Sequence, residues 1–186
     1  MTGISPNTPA VPVADPNKPH IILVGLPGAG KSTVGGMVAA KLRRPFLDFD
    51  TEIERRQGKP IAQIFGELGE AGFRDLERKL TEEMKAQGGM VLSPGGGWIG
   101  DPDVVALLRP PAVLIYLRVR PETALKRLQG AVGSRPLLNR PDPLAEINKL
   151  FEQRRMAYQT ADHEIGAELL TAAQVTSQIL EKLQPK

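Results

Sequence analysis

The apolar residues of this chain form short continuous runs that are separated by stretches with helical spacing. Continuous runs of this kind are typical of strands buried on both faces of a parallel sheet. Between them, apolar residues recur every three or four positions, as on the buried face of a helix. The runs predict strands over 21–24, 90–93 and 112–117, and two shorter, more polar segments, 45–50 and 162–165, complete the predicted set of strands. The helical spacing predicts helices over 31–42, 51–57, 61–69, 70–87, 103–108, 121–129, 144–160 and 171–183.

Strands that alternate with helices in this way predict an α/β fold, a doubly wound five-stranded parallel sheet with right-handed crossovers. In such sheets, ligands bind beyond the carboxyl ends of the strands. Residues that follow the predicted strands are therefore the first candidates for chemistry.

Composition limits the class of protein. The chain has 186 residues, 41% hydrophobic and 24% charged, which is typical of one globular domain. The net charge of +3 is too weak to indicate nucleic acid, and no apolar run approaches the ~20 residues of a membrane helix. The absence of cysteine excludes disulfides and thiol catalysis. We therefore expect a soluble, cytoplasmic protein whose partners are small molecules, not nucleic acid or membrane.

The first 19 residues differ in composition from the rest. They carry five of the 17 prolines and little apolar bulk, and they lack the charged and apolar segments of a secretion signal. They predict a disordered or loosely attached tail over 1–19, followed by a single domain over 20–186.

The segment from Gly25 to Thr33 matches G-x-x-x-x-G-K-[ST], the phosphate-binding P-loop. It stands between a predicted strand and a predicted helix, as this motif requires. Gly28 and Gly30 allow the backbone to curl so that N–H groups and the helix N-terminus point at phosphate oxygens. Lys31 would reach the β- and γ-phosphates, and the Ser32 hydroxyl would bind Mg²⁺. The motif predicts an ATP site formed by Gly28, Ala29, Gly30, Lys31, Ser32 and Thr33.

Two aspartates, Asp48 and Asp50, close the second predicted strand. Their place at its carboxyl end directs them toward the P-loop. One carboxylate could hold Mg²⁺ through water, and the other could accept a substrate hydroxyl. The alternative is that Asp50 only caps a helix that begins at Thr51.

Three consecutive glycines, 95–97, follow the third predicted strand. Such a run costs roughly 1 kcal/mol per residue to order, relative to alanine. Close approach of the backbone to a ligand would explain it, and a flexible loop is the alternative. Further candidates are cationic. Arg74 opposes the dipole near the start of its predicted helix, and Arg135 lies in a proline-rich loop over 130–143 that predicts a lid.

Together these features resemble the shikimate kinases, a P-loop family related to the nucleoside monophosphate kinases. The resemblance covers roughly residues 20–165 and keeps the order of the family's motifs. Its motifs are the P-loop, Asp48-Phe49-Asp50, Gly72-Phe73-Arg74, the triple glycine, Ser134-Arg135-Pro136-Leu137-Leu138 and Arg154-x-x-x-Tyr158. Many families share the P-loop, but the combination is far more specific.

The resemblance implies ATP- and Mg²⁺-dependent phosphorylation of the 3-hydroxyl of shikimate, on the route to chorismate and the aromatic amino acids. It also implies roles for individual residues. The implied catalytic residues are Lys31, Asp50 and Arg135, of which Arg135 would also bind ATP as the lid arginine. The residues implied to bind shikimate are Asp50, Arg74, Gly95, Gly96, Gly97 and Arg154. Those implied to support Mg²⁺ are Ser32 and Asp48.

Three features depart from the family pattern. Met156 stands where the family places a proline, and Arg155 adjoins Arg154, so that either could be the second arginine on the substrate carboxylate. The link over 166–170 has no arginine to contact adenine, which leaves Arg127 as a candidate to stack on the base.

Other functions are possible for a P-loop chain. One alternative is another small-molecule kinase, acting on gluconate or a nucleotide. A regulatory NTPase is a weaker one, because the chain lacks an Asn-Lys-x-Asp run and its best apolar strand, 112–117, ends in Arg118 instead of the aspartate of a Walker B strand. By analogy with small kinases that have a lid, we expect a monomer.

Overall fold

The computed structural model describes residues 13–130 and 141–184, and in these ranges the chain forms five strands and seven α-helices. The strands are β1 (Ile21–Val24), β2 (Phe46–Asp48), β3 (Val91–Ser93), β4 (Val113–Arg118) and β5 (His163–Gly166). The helices are α1 (Lys31–Leu42), α2 (Phe49–Gln57), α3 (Ile61–Lys85), α4 (Pro102–Leu108), α5 (Pro121–Gln129), α6 (Pro143–Tyr158) and α7 (Ala172–Lys182).

All described strands are parallel, in the order β2-β3-β1-β4-β5, which confirms the predicted sheet. In the central strand β1, Ile21 pairs with Val91 on one side and with Val113 on the other. The carboxyl end of β1 therefore lies between those of β3 and β4. This arrangement brings the segments that follow β1, β2 and β3 to one edge of the sheet.

Side chains of β1 alternate between the two faces of the sheet. Ile21 and Leu23 pack into a core with residues of α1, α5, α6 and α7. Ile22 and Val24 pack into a second core with residues of α2, α3 and α4. Each of these four side chains is at most 3% exposed. Helices on both faces explain why the strand is a continuous apolar run.

The second strand is shorter than the sequence predicts. It ends at Asp48, and α2 begins at Phe49 instead of Thr51. Asp48 is the N-cap of α2, because its Oδ1 accepts a hydrogen bond from the Thr51 N–H at 3.1 Å. The alternative reading of Asp50 as the cap is therefore wrong, since Asp50 lies inside the first turn.

The predicted division of the third helical region is confirmed. Gly69 interrupts α3 with non-helical backbone angles, φ 68° and ψ −177°, so a short helical segment precedes a longer one. Arg74 thus lies near the start of the longer segment. The sequence did not predict the 3₁₀ turn over Trp98–Gly100, which follows the triple glycine.

The described part of the predicted tail is hydrogen-bonded to the domain. The Asp15 N–H donates to Gly88 O at 3.1 Å, and the Gly89 N–H donates to Lys18 O at 2.7 Å. Arg44 also donates to the Pro19 carbonyl, at 2.9 Å. Residues 13–19 therefore lie against the turn between α3 and β3, whereas residues 1–12 of the predicted tail lie outside the described ranges.

Across the described ranges, no helix combines the length and apolar character needed to cross a lipid bilayer.

The contact of residues 13–19 with the α3–β3 turn can be tested by Gly88→Ala. A Cβ at Gly88 would lie 2.6 Å from Asp15 O and 2.7 Å from Lys18 O, so either the turn or the N-terminal segment must move. We expect a loss of about 1–3 kcal/mol in the free energy of unfolding, measured in urea.

Gly66→Ala is the matched control. Gly66 lies in α3, and its Cβ would meet no atom within 4 Å. This variant should be as stable as the wild type or gain up to roughly 1 kcal/mol from helix propensity. Equal stability of the two variants would show that the N-terminal contact contributes nothing in solution.

Candidate active site

The P-loop has the backbone conformation that the sequence predicts. Gly28 and Gly30 have φ values of 85° and 93°, in the left-handed region that favours glycine. Gly30 is the N-cap of α1, and no side chain caps the helix there. The first N–H groups of α1 are thus directed into the loop, where an anion can accept their hydrogen bonds.

Polar side chains of the loop and of β2 meet beside this cradle. Lys31 Nζ donates to the carbonyls of Gly25 and Leu26, at 3.0 and 3.1 Å. The Ser32 hydroxyl donates to Asp48 Oδ2, while Asp48 Oδ1 caps α2. A hydroxyl and a carboxylate in contact beside a phosphate site are the kind of oxygen donors that Mg²⁺ binds, directly or through water.

The triple glycine is crowded by charged side chains from three helices. A Cβ at Gly95 would overlap Glu77 Oε1 and lie 3.0 Å from Asp50 Oδ1. At Gly96 it would lie 3.1 Å from Arg154 Nη1, and at Gly97 it would overlap the Arg74 guanidinium. Any other residue would displace at least one of these groups. The absence of side chains at 95–97 therefore allows the charged groups to converge.

Two acids in this cluster are poorly solvated. Burial raises the pKa of Asp50, and the charge of Asp48 adds to the rise, while Lys31 and Arg74 oppose it. Burial likewise raises the pKa of Glu77, against the charge of Arg74, which donates to Glu77 Oε2. Glu77 is only 2% exposed, and its Oε1 has no hydrogen-bond partner among the described residues.

The structure separates Arg154 from Arg155. Arg154 Nη1 is buried beside Gly96 and has no hydrogen-bond partner in the described ranges. The side chain of Arg155 is 58% exposed, and its nearest carboxylate is Glu152, at 3.9 Å. Arg154 therefore faces the cluster and Arg155 does not. Met156, which stands where the family places a proline, is 73% exposed and is not part of the buried cluster.

A cavity of about 260 Å³ lies on the other side of the P-loop. It is lined by Ala29, Gly30, Thr33, Val34, Arg127, Ala167, Leu170, Ala172 and Val175. Arg127 donates to the Ala167 carbonyl at 2.7 Å and to the Glu168 carbonyl at 3.3 Å, which fixes it at the edge of the cavity. The cavity adjoins the phosphate cradle, because Ala29, Gly30 and Thr33 belong to both.

Most predicted site residues lie in this one region. The structure brings together the P-loop residues with Asp48, and Asp50 with Arg74, the triple glycine and Arg154. Arg135 and the centre of the predicted lid lie outside the described residues. Sequence reasoning missed Glu77, although a signal was present: it falls on the apolar stripe of α3, between Phe73 and Leu80, where an acid is unexpected.

A family model described as shikimate kinase matches residues 27–184 of the chain. The chain belongs to the shikimate kinase family. A shikimate kinase from Sulfurihydrogenibium sp. (strain YO3AOP1) is 39% identical over 165 residues, which cover 89% of this chain and 98% of that protein. These matches confirm the family predicted from the motifs.

Solved structures agree with this family assignment. A shikimate kinase from Acinetobacter baumannii, in complex with shikimate, matches with a TM-score of 0.82 at 34% identity, covering 90% of this chain and 94% of that chain. A gluconokinase from Sinorhizobium meliloti 1021 matches with a TM-score of 0.56 at 16% identity, covering 89% and 95%. The second match shows a shared fold only. Membership in the shikimate kinase family makes this protein an ATP-using kinase, a phosphotransferase.

The raised pKa of Asp50 in this kinase predicts a stability effect. The folded state keeps the Asp50 proton over a pH range in which the unfolded chain has lost it, so stability falls as the pH rises through that range. Asp50→Asn removes this titration, and we expect the variant to unfold at a higher urea concentration than the wild type at pH 7.

The gain in stability should shrink as the pH falls toward roughly 3.9, the pKa of an unperturbed aspartate, because the unfolded wild-type chain then begins to bind the same proton. Urea unfolding of the wild type and of Asp50→Asn between about pH 4 and 8 measures this difference in stability. A difference in stability between the two proteins that stays constant across this pH range would contradict the prediction.

Proposed function

We propose that this kinase transfers the γ-phosphoryl group of ATP to the 3-hydroxyl of shikimate and forms shikimate 3-phosphate, in the synthesis of chorismate and the aromatic amino acids. The observation that carries the proposal is the convergence of Asp50, Arg74 and Arg154 on the triple glycine, beside the P-loop. A small polyol acid needs cations for its carboxylate and an acceptor for its hydroxyls. Shikimate bound to the Acinetobacter baumannii enzyme supports this choice of substrate.

The phosphate side of the site is formed by the P-loop. The N–H groups over 28–33 would hold the phosphates, and Lys31 would leave its loop carbonyls to contact the β- and γ-phosphates. Ser32 and Asp48 would hold Mg²⁺, which neutralises charge on the transferred group when bound. Arg135, the predicted lid arginine, would contact the same phosphates.

The acceptor side is formed by the charged cluster. Arg74 and Arg154 would bind the carboxylate, since a guanidinium matches its two oxygens. Glu77 would orient Arg74 through their ion pair. The backbone of 95–97 would line the pocket, and Asp50 would accept a hydrogen bond from the reacting hydroxyl.

The reaction would be a direct in-line transfer without a covalent enzyme intermediate. Asp50 would orient the hydroxyl and take its proton. An unperturbed aspartate, with a pKa of roughly 3.9, is a weak base, and the raised pKa of Asp50 brings it closer to the range of a useful one. Orientation should still contribute most, because little covalent chemistry is required of the protein.

Adenine would occupy the cavity beside the P-loop. Arg127 is fixed at the cavity edge by two carbonyl groups, so its guanidinium is placed to stack on a base without further ordering.

We also propose that the enzyme acts as a monomer in the cytoplasm, where ATP is available.

A coupled assay of ADP release tests the acceptor. With ATP and Mg²⁺, release should require shikimate and should stay at background with gluconate or nucleoside monophosphates. Asp50→Asn is the control, because it should still bind ATP but lose at least about 100-fold in turnover. Equal release with gluconate, or no dependence on any acceptor, would reject the proposed substrate.

The two adjacent arginines provide a matched pair. Arg154→Lys keeps the charge but loses the two-pronged contact, and we expect the KM for shikimate to rise about 10- to 100-fold. Arg155→Lys should leave it unchanged, because Arg155 is exposed and points away from the cluster. The single tryptophan, Trp98, directly follows the triple glycine and is 1% exposed, so its fluorescence can report shikimate binding in both variants. A larger effect of Arg155→Lys would reverse the assignment.

A further inference from the structure

The Glu168 carboxylate joins the loop after β5 to the start of α5. Its Oε2 accepts a hydrogen bond from the Arg120 N–H at 2.9 Å, and its Oε1 accepts from Arg120 Nε at 3.1 Å and from the Thr123 hydroxyl. Arg120 is the N-cap residue of α5, but its own side chain does not cap the helix. Glu168 therefore supplies, from a distant part of the chain, the anion that a helix N-terminus favours.

A second tie joins the same two elements at the opposite end of α5. Arg127 lies in the last turn of the helix and donates to the Ala167 and Glu168 carbonyls. Both ends of this nine-residue helix are thus bonded to the loop 167–168. The loop cannot shift along the helix without breaking hydrogen bonds at one end.

Helix α5 also touches the phosphate cradle. A Cβ at Gly28 would overlap the Ala124 carbonyl, and it would lie 3.1 Å from Leu128 Cγ. One face of α5 therefore packs on the P-loop, while its two ends hold the loop 167–168. The cavity of about 260 Å³ lies between these contacts, lined by P-loop residues, Arg127 and Ala167.

We propose that Glu168 is a positioning residue for the nucleotide. Its carboxylate holds the loop after β5 against α5, and so keeps the cavity at the width that a base requires next to the phosphate cradle. Glu168 does not line the cavity; it acts through α5 and through the loop that carries Ala167 and Leu170. This inference rests on the proposed function, because it takes the cavity to be the site of the base of ATP.

The charge of Glu168 persists at any working pH. Hydrogen bonds from the Thr123 hydroxyl and from the Arg120 N–H lower its pKa to about 2. A glutamine at this position has the same shape but only one accepting oxygen, and its NH₂ group would face a donor of Arg120 or Thr123. Glu168→Gln should therefore loosen the loop without leaving a void.

The experiment compares Glu168→Gln with Glu164→Gln. Glu164 lies in β5 and pairs with Arg118 at 2.6 Å, but both side chains are more than half exposed and neither lines the cavity. For each variant, the KM for ATP, the KM for shikimate, kcat and inhibition by inorganic tripolyphosphate are measured. Tripolyphosphate binds a phosphate cradle but has no base.

For Glu168→Gln we expect a roughly 3- to 10-fold higher KM for ATP, with the KM for shikimate and the tripolyphosphate inhibition constant unchanged. Glu164→Gln should change none of these constants. Thr123→Val removes one hydrogen bond to Glu168 and should also raise the KM for ATP. Thr123→Ser keeps the hydroxyl and should have the KM for ATP of the wild type.

Two results would overturn the inference. One is an unchanged KM for ATP in Glu168→Gln. The other is an equally weaker binding of ATP, shikimate and tripolyphosphate, which would indicate a general loss of structure. Failure of the proposed function would look different. A wild-type enzyme without shikimate-dependent turnover would reject the substrate. Direct titration of ATP and tripolyphosphate by calorimetry would then still decide the role of Glu168.

Discussion

The structure of the acceptor pocket depends on close packing of charged side chains against bare backbone. At 95–97 there is no Cβ, and Asp50, Glu77, Arg74 and Arg154 occupy the space that side chains would fill. These groups come from three helices, α2, α3 and α6. The triple glycine is thus the surface on which three helices combine into one site. A residue with a side chain there would push the arginines apart before any substrate arrived.

This packing leaves charged groups of the cluster poorly solvated and short of hydrogen-bond partners. The pKa values of Asp50 and Glu77 are both raised by burial, and one nitrogen of Arg154 and one oxygen of Glu77 have no hydrogen-bond partner among the described residues. Buried groups of this kind cost stability and are usual where a ligand completes the hydrogen bonding. A ligand with a carboxylate and several hydroxyls would supply the missing partners.

The fold alone does not account for the substrate. A gluconokinase and a deoxyadenosine kinase share it at 16% and 17% identity, with TM-scores of 0.56 and 0.59. In this chain the phosphate cradle lies at the end of the central strand β1. A substrate is selected by the side chains that neighbouring segments direct toward the cradle, not by the fold. In this chain those segments carry two arginines and an aspartate on one face, and Glu168 with Arg127 on the other.

Local features of this protein follow directly from its amino-acid sequence. The apolar runs predicted β1, β3 and β4, because a strand covered on both faces is a continuous apolar run. The P-loop motif predicted that the backbone curls at Gly28 and Gly30. The break in α3 at Gly69 was also predicted, since it depends on a few adjacent residues. The motifs shared with the shikimate kinases indicated the polar residues of the site.

Which of those residues meet depends on how the strands and helices pack. Asp48 caps α2, which leaves Asp50 free for the pocket; Arg154 faces the triple glycine, whereas its neighbour Arg155 faces solvent. Glu77 and Glu168 act through partners on other segments, and no local pattern gives the position of those partners. Backbone conformation follows from interactions between near neighbours in sequence, but convergence of side chains follows from the order in which strands and helices pack.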